Sequence, residues 1–149
     1  MKLRYEFAIG ALVLAGLSGT VQARSKPVDR TRLDALVAQA DAFDVGSDPK
    51  RGMAQWEEAL AEAQRLYPAG HPQIAAIRQG IATALAAQGR MDEADAIIAE
   101  VLPVLEKAGP AYRKALADAW NIRGYTSHFR SNHADAISAF TTSLAISRS

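Results

Sequence analysis

The sequence repeats one short pattern. The segment "QGRMDEADAIIAEVL" at 88–102 returns in altered form as "RSNHADAISAFTTSL" at 130–144, and Ala94 in the first copy lies 42 residues before Ala136 in the second. A related Glu-Ala pair ends at Ala59, 35 residues before Ala94. Repeats of this length indicate an array of similar supersecondary units, none of which can bury its apolar face alone. The chain is therefore expected to fold as a stack of units that cover one another.

Apolar residues recur at helical spacing in each segment between breaks. The first stripe is Leu33, Leu36, Val37 and Ala40, and the second contains Met53, Trp56, Ala59, Leu60, Ala63, Leu66 and Tyr67. Glycine and proline interrupt the pattern near 46–52, 68–72, 89 and 109–110, and no segment alternates with period two. This spacing predicts amphipathic helices joined by short turns. We predict an all-α fold of three antiparallel hairpins at about 31–67, 73–108 and 111–148.

The first 23 residues have the pattern of a secretory signal peptide. Lys2 and Arg4 precede the apolar run "FAIGALVLAGL", and small residues at Val21 and Ala23 flank a cleavage point. That run is too short to cross a bilayer as a helix, which needs about 20 residues. We predict cleavage after Ala23, a polar linker at 24–30, a repeat domain at 31–149, and a periplasmic or secreted protein with no stable membrane span.

Composition excludes several classes of function. The chain carries 17 basic and 16 acidic residues, and its basic residues form no cluster. A nucleic-acid partner is not expected, because phosphate backbones are bound by clustered positive charge. The chain has no cysteine, which excludes disulfides and thiolate metal ligands.

No group of residues predicts catalysis or a cofactor. His71, His128 and His133 lack the spacing of a zinc-binding helix, and no glycine-rich phosphate loop or nucleophile elbow occurs. The acidic run at Asp92, Glu93 and Asp95 begins a predicted helix, where negative charge complements the helix dipole. We expect no enzyme activity, no metal and no cofactor.

The pattern resembles that of the tetratricopeptide repeat family. The matching positions are Gly89, Ala94, Ile98, Trp120, Gly124, Ala136 and Phe140, and the 42-residue spacing is similar to the longer variant in kinesin light chains. Two positions of the third hairpin depart from the family, since Arg123 stands where leucine is preferred and Ser143 where alanine is preferred. The resemblance implies an α-solenoid in which small residues mark close helix crossings.

The resemblance also implies a concave groove that binds peptides or partner helices. The expected groove residues are Gln79, Thr83, Ala86, Asp118, Asn121, Tyr125 and His128. An ordinary solvated helix face is the alternative interpretation of these positions. The predicted function is an exported, non-catalytic scaffold for a protein or peptide partner.

Two other functions stay open. In the first alternative, the chain is the repeat segment of a larger enzyme, for example one fused to a peptidase domain. In the second, it is a self-assembling homo-oligomer. The second alternative follows from the last predicted helix, whose apolar residues reach Ile146 with no polar-faced helix after it. A second copy, a partner or a following segment is expected to cover that surface.

Overall fold

The computed structural model describes residues 29–43 and 46–149. These residues form helices and turns, and no strand occurs within those two ranges. The all-α prediction is confirmed. The predicted signal peptide at 1–23 and linker residues 24–28 lie outside the described residues.

Six α-helices follow one another in the described ranges. Their bounds are α1 Thr31–Ala42, α2 Pro49–Leu66, α3 Pro72–Ala87, α4 Met91–Leu105, α5 Arg113–Phe129 and α6 His133–Arg148. A single 3-10 turn at Pro110–Tyr112 precedes α5.

Several of the predicted breaks act as helix starts. Pro49 and Pro72 are the first residues of α2 and α3, where the missing N–H of proline costs nothing. The side chain of Asp48 caps α2, and the Nδ1 atom of His71 accepts a hydrogen bond of 3.1 Å from the Gln73 N–H. The His71 ring also stacks on Tyr67, with ring centroids 4.1 Å apart. His71 therefore fixes the junction between α2 and α3.

Consecutive helices contact each other along the whole array, and α3 also contacts both α1 and α5. The core lies between the helices and consists largely of alanine, isoleucine and leucine. The repeat positions Ala94, Ile98 and Ala136 are buried, and Gly89 forms the turn after α3 with a φ of 76°. Trp120 is half-buried and lines a cleft between α4 and α6. The array thus has two kinds of contact, from each helix to the next and among α1, α3 and α5.

Two glycines allow aromatic rings to approach the helix backbone. A Cβ atom on Gly80 would lie 2.4 Å from the indole of Trp56, and one on Gly124 would lie 2.5 Å from the ring of Phe140. Real Cβ atoms essentially never make contacts below 3.0 Å, so any side chain there would displace the ring. This geometry agrees with the expectation that small residues such as Gly124 mark close helix crossings. Phe140 is the residue that fills the space at Gly124.

The buried face of α6 differs from the apolar stripe in the sequence. Ala136 and Ala139 are buried, whereas Ile137 is 67% exposed and Leu144 is 49% exposed. Ser143 lies on the packed side, where its hydroxyl donates a 2.8 Å hydrogen bond to the carbonyl of Ala117 on α5. Short side chains let α6 approach α5 closely, and the larger aliphatic residues face outward.

Enlarging the buried alanine of α4 tests this packing. We expect Ala94→Leu to destabilise the chain by about 1 to 3 kcal/mol, because the site is fully buried and the added atoms overpack it. Ala96→Leu, on the exposed side of the same helix, is the matched control and should change stability little. Urea unfolding measures both variants, and equal stabilities would contradict the packing described.

Candidate partner-binding groove

Helices α1, α3 and α5 form a surface with two adjoining depressions. Five residues line both of them, namely Asp41, Trp56, Gln79, Lys114 and Asp118. Because the depressions share these walls, they form one continuous surface feature. We define the groove as these two depressions together.

The first depression is mainly apolar and has a volume of about 170 Å³. Its further lining comes from Val37 on α1, Ala76 and Ile77 on α3, and Tyr112 and Ala115 at the start of α5. Trp56 reaches its base from α2 and is itself buried. This depression is suited to an apolar side chain.

The second depression has a volume of about 330 Å³ and a more polar lining. Thr83 on α3 and Asn121 on α5 contribute hydrogen-bonding groups, and Phe43 forms part of the rim. The Asn121 amide makes no hydrogen bond to the part of the chain that the structure describes, so it can bind a ligand.

Lys114 crosses the groove between its two depressions. Its Nζ atom lies 3.0 Å from Oδ1 of Asp41 on α1 and 3.1 Å from Oδ2 of Asp118 on α5. Partial burial acts to lower the pKa of Lys114, but hydrogen bonds to the two carboxylates outweigh it and raise the pKa above its ordinary value. The three side chains carry a net charge of −1 and remain largely exposed to solvent.

Gln79 forms the floor shared by the two depressions and is only 7% exposed. Its amide nitrogen donates a 2.9 Å hydrogen bond to the Thr83 hydroxyl, which in turn donates to the Gln79 backbone carbonyl. The side-chain carbonyl oxygen of Gln79 accepts no hydrogen bond from the described residues. This oxygen is therefore an acceptor that a ligand N–H can bond.

Four of the six principal sequence-predicted groove residues line the groove, and two do not. Gln79, Thr83, Asp118 and Asn121 come together in the second depression. Tyr125 packs its ring edge-on against Phe140 of α6, and His128 lies beside His133 with ring centroids 5.4 Å apart. Both are directed toward α6, away from the depressions. Ala86, the remaining expected residue, does not line them either.

Sequence reasoning missed the residues that define the middle of the groove. Lys114 lies one turn before Asp118, so extending the α5 pattern by four residues would have included it. Asp41 lies 73 residues from Lys114 in the sequence, and no local pattern links them. Trp56 was expected in the core, and it is buried there while also contacting the groove.

Asp95 joins α4 to α5 on another side of the array. It accepts hydrogen bonds from Arg123, Thr126 and Arg130, and its side chain is 14% exposed. Burial acts to raise the pKa of Asp95, but hydrogen bonds from Arg130 and Thr126 and the charge of Arg123 outweigh it and hold the pKa below its ordinary range. Asp95 is therefore a structural ion-pair partner. Arg123, at a position where leucine is preferred in the repeat family, forms an ion pair with it that joins α5 to α4.

The described residues contain neither a metal-binding cluster nor a membrane-spanning helix. Within residues 29–43 and 46–149, no cluster of three histidine or acidic side chains has a geometry that could hold a metal ion. No described helix is both long and apolar enough to cross a membrane.

Neither models of known protein families nor curated proteins give a match to this chain. The likeness to tetratricopeptide repeats therefore rests on the residues of this chain alone.

The charge on Asp95 should make folding stability depend on pH. Because its pKa is lower in the folded chain than the unfolded value of about 3.9, the stabilisation is present above about pH 5 and is lost as the pH falls through the folded-state pKa. We expect Asp95→Asn to cost about 1 to 2 kcal/mol at pH 7, and less at pH 3.

Urea unfolding at the two pH values measures this difference. The control is Asp92→Asn, which removes an exposed bond to Arg130 and one charge in the first turn of α4, and should have a smaller effect at pH 7 than Asp95→Asn. A loss of stability in Asp95→Asn that is the same at pH 3 and pH 7 would show that the carboxylate charge does not contribute.

Proposed function

We propose that the chain is an exported helical-repeat scaffold that binds a peptide or protein segment in the groove, without catalysing a reaction. The observation that carries this proposal is the groove itself, in which α1, α3 and α5 bring apolar walls and unused hydrogen-bonding groups together. Ligand sites typically combine an apolar lining with a few polar groups in this way.

Helix contacts support a solenoid arrangement for this scaffold. Each helix contacts the next, and the first helices of the three proposed hairpins, α1, α3 and α5, contact one another through α3. In a solenoid, such contacts place equivalent helices side by side and create an extended binding surface. The signal-peptide pattern at 1–23 supports export to the periplasm or the exterior of the cell.

Peptide selection tests the proposed function. Phage-displayed random peptides are selected on the full chain, and synthetic copies are then titrated against two variants. We expect Asn121→Phe, which fills the second depression, to weaken binding roughly ten-fold or more because it occupies the ligand volume. The matched control Gln64→Phe lies on the exposed side of α2, outside the groove, and should bind like the unmodified chain.

Circular dichroism establishes that both variants keep their helix content. If no peptide is selected, or if the selected peptides bind Asn121→Phe as tightly as the unmodified chain, the groove is not the binding site.

A second candidate function is self-association through the outer face of α5 and α6. Tyr125, Phe129, Ile137 and Leu144 are all about half exposed or more. None of these side chains is charged, so the patch suits a two-fold interface, in which the same apolar surface of two copies packs together. The favoured occupant of this face is a second copy of the chain.

Sedimentation over a concentration series tests self-association. We expect the full chain to form dimers that Ile137→Ser weakens, because this change removes apolar area from the interface. Ala96→Ser, on the exposed side of α4, is the control. A monomer at every concentration would exclude this second function.

A further inference from the structure

We propose that the groove recognises a peptide segment in which an apolar side chain of leucine or phenylalanine size adjoins a lysine or arginine. This inference rests on the proposed peptide-binding function and adds the chemical class of the ligand. In this arrangement the apolar side chain enters the first depression, and the cation replaces the Lys114 ammonium between Asp41 and Asp118.

The size and lining of the first depression define the apolar part of the ligand. Its volume of about 170 Å³ is close to that of an apolar cavity of about 150 Å³ that is able to bind benzene. Val37, Ile77 and Ala115 supply aliphatic walls, and the rings of Trp56 and Tyr112 supply flat surfaces. One large apolar side chain fills this space.

The charges between the depressions define the adjoining residue. Asp41 and Asp118 project from opposite sides of the groove, and each holds the same Lys114 ammonium. The Lys114 side chain is 71% exposed, and exposed ion pairs contribute little to stability, so a second cation can displace it at small cost. A guanidinium is well suited to this place because its fork of N–H donors can bond two carboxylates.

Two amide side chains beside these carboxylates point to a peptide rather than a small cation. Gln79 lines both depressions, and its side-chain carbonyl oxygen accepts no hydrogen bond from the described residues. The side-chain amide of Asn121, in the second depression, makes no hydrogen bond with them either. Backbone N–H and C=O groups of a peptide satisfy such amides. Gln79 thus supplies an anchor in the part of the groove that the two depressions share.

An acidic ligand meets the opposite situation. It has to approach two carboxylates and draw Lys114 away from both, which leaves like charges close together. Placing like charges together at an interface disfavours a partner and so produces specificity. The groove therefore discriminates between basic and acidic segments.

Four pools of heptapeptides with a fixed central pair test the ligand class on the full chain. The fixed pairs are Phe-Arg, Phe-Glu, Phe-Ala and Ser-Arg, and fluorescence anisotropy gives the dissociation constant of each pool. We expect Phe-Arg to bind roughly ten-fold more tightly than Phe-Glu, and several-fold more tightly than the other two pools.

Two charge variants should change the affinity for the Phe-Arg pool in opposite directions. Lys114→Ala removes the competing cation and should tighten binding about three-fold or more, whereas Asp118→Asn should weaken it by a similar factor. Lys107→Ala and Asp34→Asn change exposed charges outside the groove and serve as matched controls. Binding of the Phe-Ala pool should respond little to any of the four changes.

The outcomes separate this inference from the proposed function. Tighter binding of Phe-Glu, with loss of that binding in Lys114→Ala, would overturn the inference while leaving a peptide-binding groove. Equal binding of all four pools that still depends on Asn121 would also overturn the inference alone. If no pool binds, or if Asn121→Phe leaves the binding of every pool unchanged, both the inference and the proposed function fail.

Discussion

The structure depends on the contact between the indole of Trp56 and the backbone of α3 at Gly80. The absence of a Cβ atom on Gly80 lets α2 and α3 approach until the ring covers the helix itself. This position of α3 in turn allows it to contact α1 on one side and α5 on the other. The groove is the surface of those three helices, and Trp56 reaches its base through the same packing. Trp56 therefore contributes both to the core and to the lining of the groove.

Polar bonds join neighbouring helices at two positions of α5 and α6. Arg123 pairs with the partly buried Asp95 on α4, and Ser143 bonds the backbone of α5. Each of these two side chains joins neighbouring helices by a hydrogen bond, where an apolar residue would join them by packing. Such bonds are directional, so they fix helix register as well as contact distance. Polar interactions at Arg123 and Ser143 therefore hold part of the helical array together.

Sequence periodicity was sufficient to predict the helices, the breaks and much of the core, because helix formation and amphipathic burial are local or regular properties. Gln79, Thr83, Asp118 and Asn121 line one depression together, and the resemblance to the repeat family, not the periodicity, implied this grouping. Sequence periodicity could not predict that Asp41 contacts Lys114, since that contact depends on the packing of helices far apart in the sequence. The apolar pattern of the last predicted helix also did not show that alanines would form the buried side of α6 while Ile137 and Leu144 are exposed.

The position of Trp56 has a consequence for how the array unfolds. Trp56 belongs to the second helix of one sequence repeat, whereas Gly80 belongs to the first helix of the next. Separating the chain at the repeat boundary would therefore expose an indole on one fragment and a bare helix backbone on the other. The contact between Trp56 and Gly80 therefore couples the two segments that the sequence pattern separates. The first two hairpins should melt in a single transition, even though repeat arrays are in principle able to unfold one unit at a time.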